Sequence, residues 1–168
     1  MLGRFAATAA LVAVAVATGA TMVHAGDNDQ RGERSSQTVI VSRAFTIAKG
    51  QCSQLPADVE LQGLGLERTT TVAEEIDGRL NYIRSSTISG TATDNFGGKY
   101  TFEYHNRLSE APIPGSGTDI DTFKLTGKGA ANGMSTFFRA RVMLDSGANP
   151  IGFEILEQSG DPFHCDPL

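Results

Sequence analysis

Short segments of alternating apolar and polar residues, separated by clusters of Gly, Pro, Asn and Asp, run through most of the chain and restrict its fold more than any other feature. Successive side chains of a strand point to opposite faces, so a period of two marks a strand with one buried face. The clearest case is Tyr100 to Leu108. Tyr100, Phe102, Tyr104 and Leu108 share one face there, and Thr101, Glu103, His105 and Arg107 share the other. Val39, Val41, Phe45 and Ile47 form a second such face, interrupted by Arg43, and Leu80, Tyr82 and Ile88 a third. Phe123 with Leu125, then Phe138, Ala140, Val142 and Leu144, then Ile151, Phe153 and Ile155 complete the series. Between Val59 and Thr71 the apolar parity switches from odd to even positions around Gly63 and Gly65, which predicts a β-bulge.

Turn chemistry falls between these segments. Asp77-Gly78, Asp94 to Gly98, Asn132-Gly133 and Ser146-Gly147 are favourable turn sequences, and Ala111 to Gly117, with two prolines, reads as the longest loop. No stretch of the same region keeps a 3.6-residue apolar period, so Thr71 to Ile76 can supply one helical turn at most. Strands with one apolar face must curl or stack to bury it. The expected fold is therefore all-β, a small antiparallel β-barrel of about seven or eight strands, with a two-sheet β-sandwich as the alternative.

The N-terminus carries a different pattern. Arg4 is followed by a charge-free run from Phe5 to Val23 and by small residues around Ala25, the layout of a secretory signal peptide over residues 1–25. An uncleaved anchor is the competing reading, but the run is diluted by Ala, Gly and Thr. Residues 26–36 contain no hydrophobic side chain and read as a flexible leader, leaving 37–168 as a single β-domain. The whole chain has a net charge of −5, and without Arg4 the 13 remaining basic residues face 19 acidic ones, a balance of −6. That acidity argues against nucleic acid as a partner. Export gives the two cysteines a meaning: Cys52 and Cys165 are expected to form a disulfide enclosing residues 53–164. The expected location is secreted or periplasmic, with no stable membrane insertion after signal cleavage.

Known catalytic patterns are absent. There is no nucleophile elbow and no phosphate loop, and Asp27 to Gly32 fails as a calcium loop because Arg31 stands where an oxygen ligand belongs. Glu103 and His105 on one strand face are candidate proton carriers. Arg139 and Arg141 share a face and can grip an anion, or pair with carboxylates across the sheet. Arg43 and Arg84 interrupt apolar faces; pointing inward they would floor an anion-binding cavity, and a bulge would turn Arg43 to water. Asp119 and Asp121, two residues apart, can serve a hard cation together with Asp94 or Asp145, or simply keep a strand edge soluble. No metal or cofactor is expected. These residues support a binding module for a small molecule or a protein partner, without catalysis. The alternatives are a barrel enzyme working through acid–base chemistry and a structural component of the cell envelope.

Overall fold

A computed structural model describes residues 31–166. Seven antiparallel strands form one sheet: β1 (Arg31–Ile47), β2 (Leu61–Ile76), β3 (Arg79–Asp94), β4 (Lys99–Ile113), β5 (Gly115–Lys128), β6 (Ser135–Leu144) and β7 (Pro150–Ser159). A four-residue helix, α1 (Pro162–Cys165), follows. Each strand pairs with its neighbours in sequence, so the sheet is a pure meander, as the short connections require. The all-β antiparallel class holds, and among the described residues there is one sheet and not the two of a sandwich. The signal segment, residues 1–25, lies outside the described residues, and among those described no helix is long and apolar enough to cross a membrane.

The sheet curls strongly without closing its hydrogen-bond ladder, and β1 and β7 are its two edges among the described residues. Curvature comes from three aromatic rings on strands that are far apart in the sheet. Phe45 on β1 packs edge-on against Phe102 on β4, with ring centroids 5.0 Å apart, and against Phe123 on β5 at 6.0 Å. Ile47, Leu61, Leu125 and Met134 close over this trio, so the concave face is an apolar core at the end where β1 finishes.

A strap takes the place of a β1–β7 ladder at that end. The β1–β2 connection buries Leu55 and Val59 and carries Cys52, which is bonded to Cys165 with Cα atoms 4.6 Å apart and a sequence separation of 113. Beside it the Gln54 amide donates to the carbonyls of Ser135 (3.0 Å) and Gly160 (2.5 Å), and the Ser53 hydroxyl donates to Asp161 (3.0 Å). Asp161 is held below the usual carboxylate range chiefly by its hydrogen bond to His164, with desolvation acting against it and Ser53 adding to it.

Four local expectations are corrected. First, β2 pairs in regular register with β1 from Leu61 to Glu74 and with β3 along its whole length, so no bulge lies between Val59 and Thr71. Its inward positions 63 and 65 are glycines because neighbours lie over them: a Cβ on Gly63 would sit 2.2 Å from the Phe45 ring, and one on Gly65 would sit 2.6 Å from the Ser89 carbonyl oxygen and 2.8 Å from the Phe102 ring. Leu64 and Leu66 consequently face outward and are exposed. Second, Ala111 to Gly117 is not a long loop, since β4 reaches Ile113 and β5 begins at Gly115. The β4–β5 ladder ends at Ser109–Thr118, so beyond it Pro112 pairs only with β3, on a locally free edge that tolerates proline. Third, the segment to Ile76 is strand, with Asp77 (φ 52°) and Gly78 (φ 73°) making the tight hairpin turn to β3. Fourth, β1 begins at Arg31, inside the presumed leader, and Arg34 to Ser36 pair with Val72 to Glu74.

Candidate functional site

The concave face turns polar beyond the aromatic core. On β4 the inward row continues from Tyr104 to Asn106, a residue only 4% exposed. Its amide is a junction between three strands. The Nδ2 group donates to Asp119 (2.8 Å) and Asp121 (2.5 Å) on β5, and the Oδ1 accepts from Arg84 on β3 (3.2 Å). The Tyr104 hydroxyl also donates to Asp121, at 3.1 Å. Period-two geometry explains the convergence: 119 and 121 lie on the same face as Phe123 and Leu125, and the β4–β5 register sets Asp121 directly across from Asn106.

Electrostatics in this band are dominated by carboxylates. Burial pushes the Asp119 carboxyl above its ordinary range, and the neighbouring Asp121 charge adds to the shift; Asn106 and Arg84 offset it only in part. Tyr104 is pushed strongly upward by burial and then by Asp121, Asp166 and Asp119. Toward β1 a second set of contacts extends the band. Arg43 bridges to Glu67, whose other oxygen accepts from Thr69 (3.0 Å), and Thr69 pairs with Ser86 at 2.7 Å. Burial works against the Glu67 carboxylate, yet hydrogen bonds from Arg43, Thr69 and Ser86 outweigh it and lower its pKa.

On the other side of Asp119 the surface becomes apolar. Asp119 faces Ala140 across the β5–β6 ladder, and Ala140 faces Ile155 across β6–β7. An open groove of about 490 Å³ lies here. Ala140 and Val142 form its floor, and Pro150, Ile151 and Phe153 form the wall on β7. Phe138 and Phe163 stop it at the strap end, their rings edge-to-face at 5.4 Å. Register shifts in the β6–β7 ladder leave Leu156 and Ile151 as extra residues of β7. Ile151 is 68% exposed and Phe153 62%, a large apolar display for an edge strand. Asp119 is the one charged side chain in the lining, and most of it is carbon.

The residues singled out in the sequence are scattered. Glu103 and His105 lie on the convex face of β4 and are exposed, on the opposite side of the sheet from the groove. Arg139 and Arg141 are also convex, where they pair across the ladder with Glu157 (3.2 Å) and Glu154 (2.8 Å). Arg43 shares the concave face with Phe45; β1–β2 register is regular from Arg34 to Ile47, so no bulge turns Arg43 away, and Glu67 meets its charge. Arg84 is concave as well, but the two arginines make separate contacts and border carboxylates, so they do not floor an anion cavity. Asp94 and Asp145 are each engaged in their own turns, and no cluster of three metal-ligating side chains occurs among the described residues.

The groove itself is not legible in the sequence. Its floor is legible as the Phe138, Ala140 and Val142 face of β6, but alternation alone does not reveal that β7 is an edge whose apolar side stays uncovered. Comparison with protein-family models, with curated proteins and with solved structures gives no match, so the functional reading rests on the chemistry of the groove.

Proposed function

We propose that the protein is an exported, non-catalytic binding module that holds a small hydrophobic molecule in the groove between β5, β6, β7 and α1. The observation that carries this reading is the groove's composition: a concave site of about 490 Å³ lined by aliphatic and aromatic side chains with a single carboxylate at one side. Small-molecule sites have this size and this sparse polar content. The Cys52–Cys165 disulfide supports a secreted or periplasmic setting, where such bonds persist. An acid–base enzyme is less well supported, because Glu103 and His105 face solvent away from any enclosed space.

The test is a fluorescence titration with N-phenyl-1-naphthylamine, a neutral apolar probe that brightens on leaving water. Saturable enhancement is expected with the wild type. It should weaken at least about tenfold in Phe153→Ser, which removes an exposed wall residue and leaves the core intact. Equal enhancement in both proteins, each folded by circular dichroism, would reject the groove as the binding site.

A further inference from the structure

The groove is apolar everywhere except at Asp119, and that exception selects among ligands. Along the row Asp119, Ala140, Ile155 the surface passes from a carboxylate to aliphatic carbon within two strand spacings, roughly 10 Å. A molecule bridging that distance has a polar end and an apolar body. The sign of the polar end follows from the surrounding charges. The Asn106 Nδ2 group donates to both Asp119 and Asp121, so two carboxylates stand side by side at this edge of the groove, and Arg84 is the cation that acts on Asp119. Arg84 is itself committed to Asn106 through Oδ1, and no ion pair joins Asp119 to a described residue. Asn106 fixes the carboxylate from the β4 side, while Asp119 borders the groove on the β6 side.

Granted that the groove binds a ligand as proposed above, we infer that its ligand class is a hydrophobic organic cation, an ammonium on an aliphatic or aromatic body, with its N–H donated to the Asp119 carboxylate and its body lying over Ala140 and Val142. A protonated amine supplies both the donor and the charge that a half-buried carboxylate beside a second carboxylate lacks. A neutral alcohol of the same size supplies only the donor. An anion meets repulsion from Asp119 and from Asp121 beside it, which distinguishes this site from the anion cavity that Arg43 and Arg84 suggest in the sequence.

Three molecules with one tail separate these cases. Octylammonium, 1-octanol and octanoate, each below its aggregation limit, are titrated into the wild type by calorimetry at pH 7 and used to displace N-phenyl-1-naphthylamine. Octylammonium is expected to bind about tenfold more tightly than 1-octanol, with octanoate weakest. In Asp119→Asn, which keeps an acceptor for Asn106, the amine's advantage over 1-octanol should disappear while the probe still binds. Equal affinity for amine and alcohol in the wild type, or an amine preference that survives in Asp119→Asn, overturns the cation inference and leaves the groove standing. Failure of the probe and of all three octyl compounds to bind overturns both.

Discussion

Gly65 and Gly90 stand directly opposite each other across the β2–β3 ladder, both on the concave side, where a Cβ on Gly90 would lie 2.2 Å from the Leu64 carbonyl oxygen and 2.5 Å from the Cα of Gly65. At this pair the two backbones approach too closely for a side chain on either strand. Glycine kinks of this kind let a sheet coil, and here the coil brings β1 over β4 and β5 so that Phe45 can reach Phe102 and Phe123.

Adding a methyl group at that bend is expected to be costly. Gly90→Ala should lower the unfolding free energy by roughly 1–3 kcal/mol, because the atoms it meets are backbone and cannot step aside. Gly152→Ala is the matched control. Its nearest neighbour is the mobile end of Met143, at 2.6 Å, so the change should stay within about 0.5 kcal/mol. Urea unfolding of the two variants beside wild type measures the difference; similar losses in both would mean that the Gly65–Gly90 contact does not set the curvature.

Removing the strap's covalent link should be the most damaging single change at that end. For a loop of this length the chain-entropy model gives up to roughly 4.7 kcal/mol, reduced by structure remaining in the unfolded chain. Cys52→Ala with Cys165→Ala should therefore lower Tm by many degrees, and the wild type under reductant should behave like the double variant. Mass spectrometry of exported protein before and after reduction should differ by two hydrogens; two free thiols in the exported protein would show that the bond does not form there.

Two carboxylates are expected to respond to acid in opposite senses. Asp94 accepts from Tyr100 (2.5 Å) and from the backbone of Phe96 and Gly98, and the Tyr100 bond is the main reason its pKa lies below 3.8. Its contribution is present above 3.8 and is lost as the pH falls through the folded value, so Asp94→Asn should cost about 1–3 kcal/mol at pH 7 and less in acid. Asp119 is raised above 3.8, so its folded form holds the proton more tightly than the unfolded chain does. Asp119→Asn should then raise Tm at pH 7, with the gain shrinking as the pH is lowered toward 3.8. Tm measured for both variants between pH 3 and 8 checks the two signs; parallel profiles would contradict them.

Sequence patterning reveals the strands better than it reveals what lies between and across them. The Tyr100, Phe102, Tyr104 row is readable because each inward position is large and apolar, and Tyr100 and Phe102 are indeed among the most buried residues. On β2 the same logic misleads. An inward glycine covered by a neighbour's ring and a glycine in a bulge look identical in one dimension, and only the register over Gly63 and Gly65 separates them. A real irregularity sits on β4 instead, between Leu108 and Ala111, and no glycine signals it. Asp119 and Asp121 are legible as sharing one face. Their joining to Asn106 depends on the β4–β5 register, which the sequence does not contain. Glu103 with His105 and Arg139 with Arg141 satisfy a rule about spacing while standing on the convex side, because alternation identifies two faces without saying which one encloses anything.

The edge-to-face contact of Phe138 and Phe163 has a further consequence. It blocks the groove where the strap fastens the two edges, whereas the opposite end runs out past Pro150 and Ile151 beside the exposed turn at Ser146 and Gly147. A molecule lying along β6 meets a wall at one extremity and water at the other. On the proposed function, such a site would gauge the girth of its occupant and leave the length unmeasured, so one groove would accept a whole series of tails that share a single head.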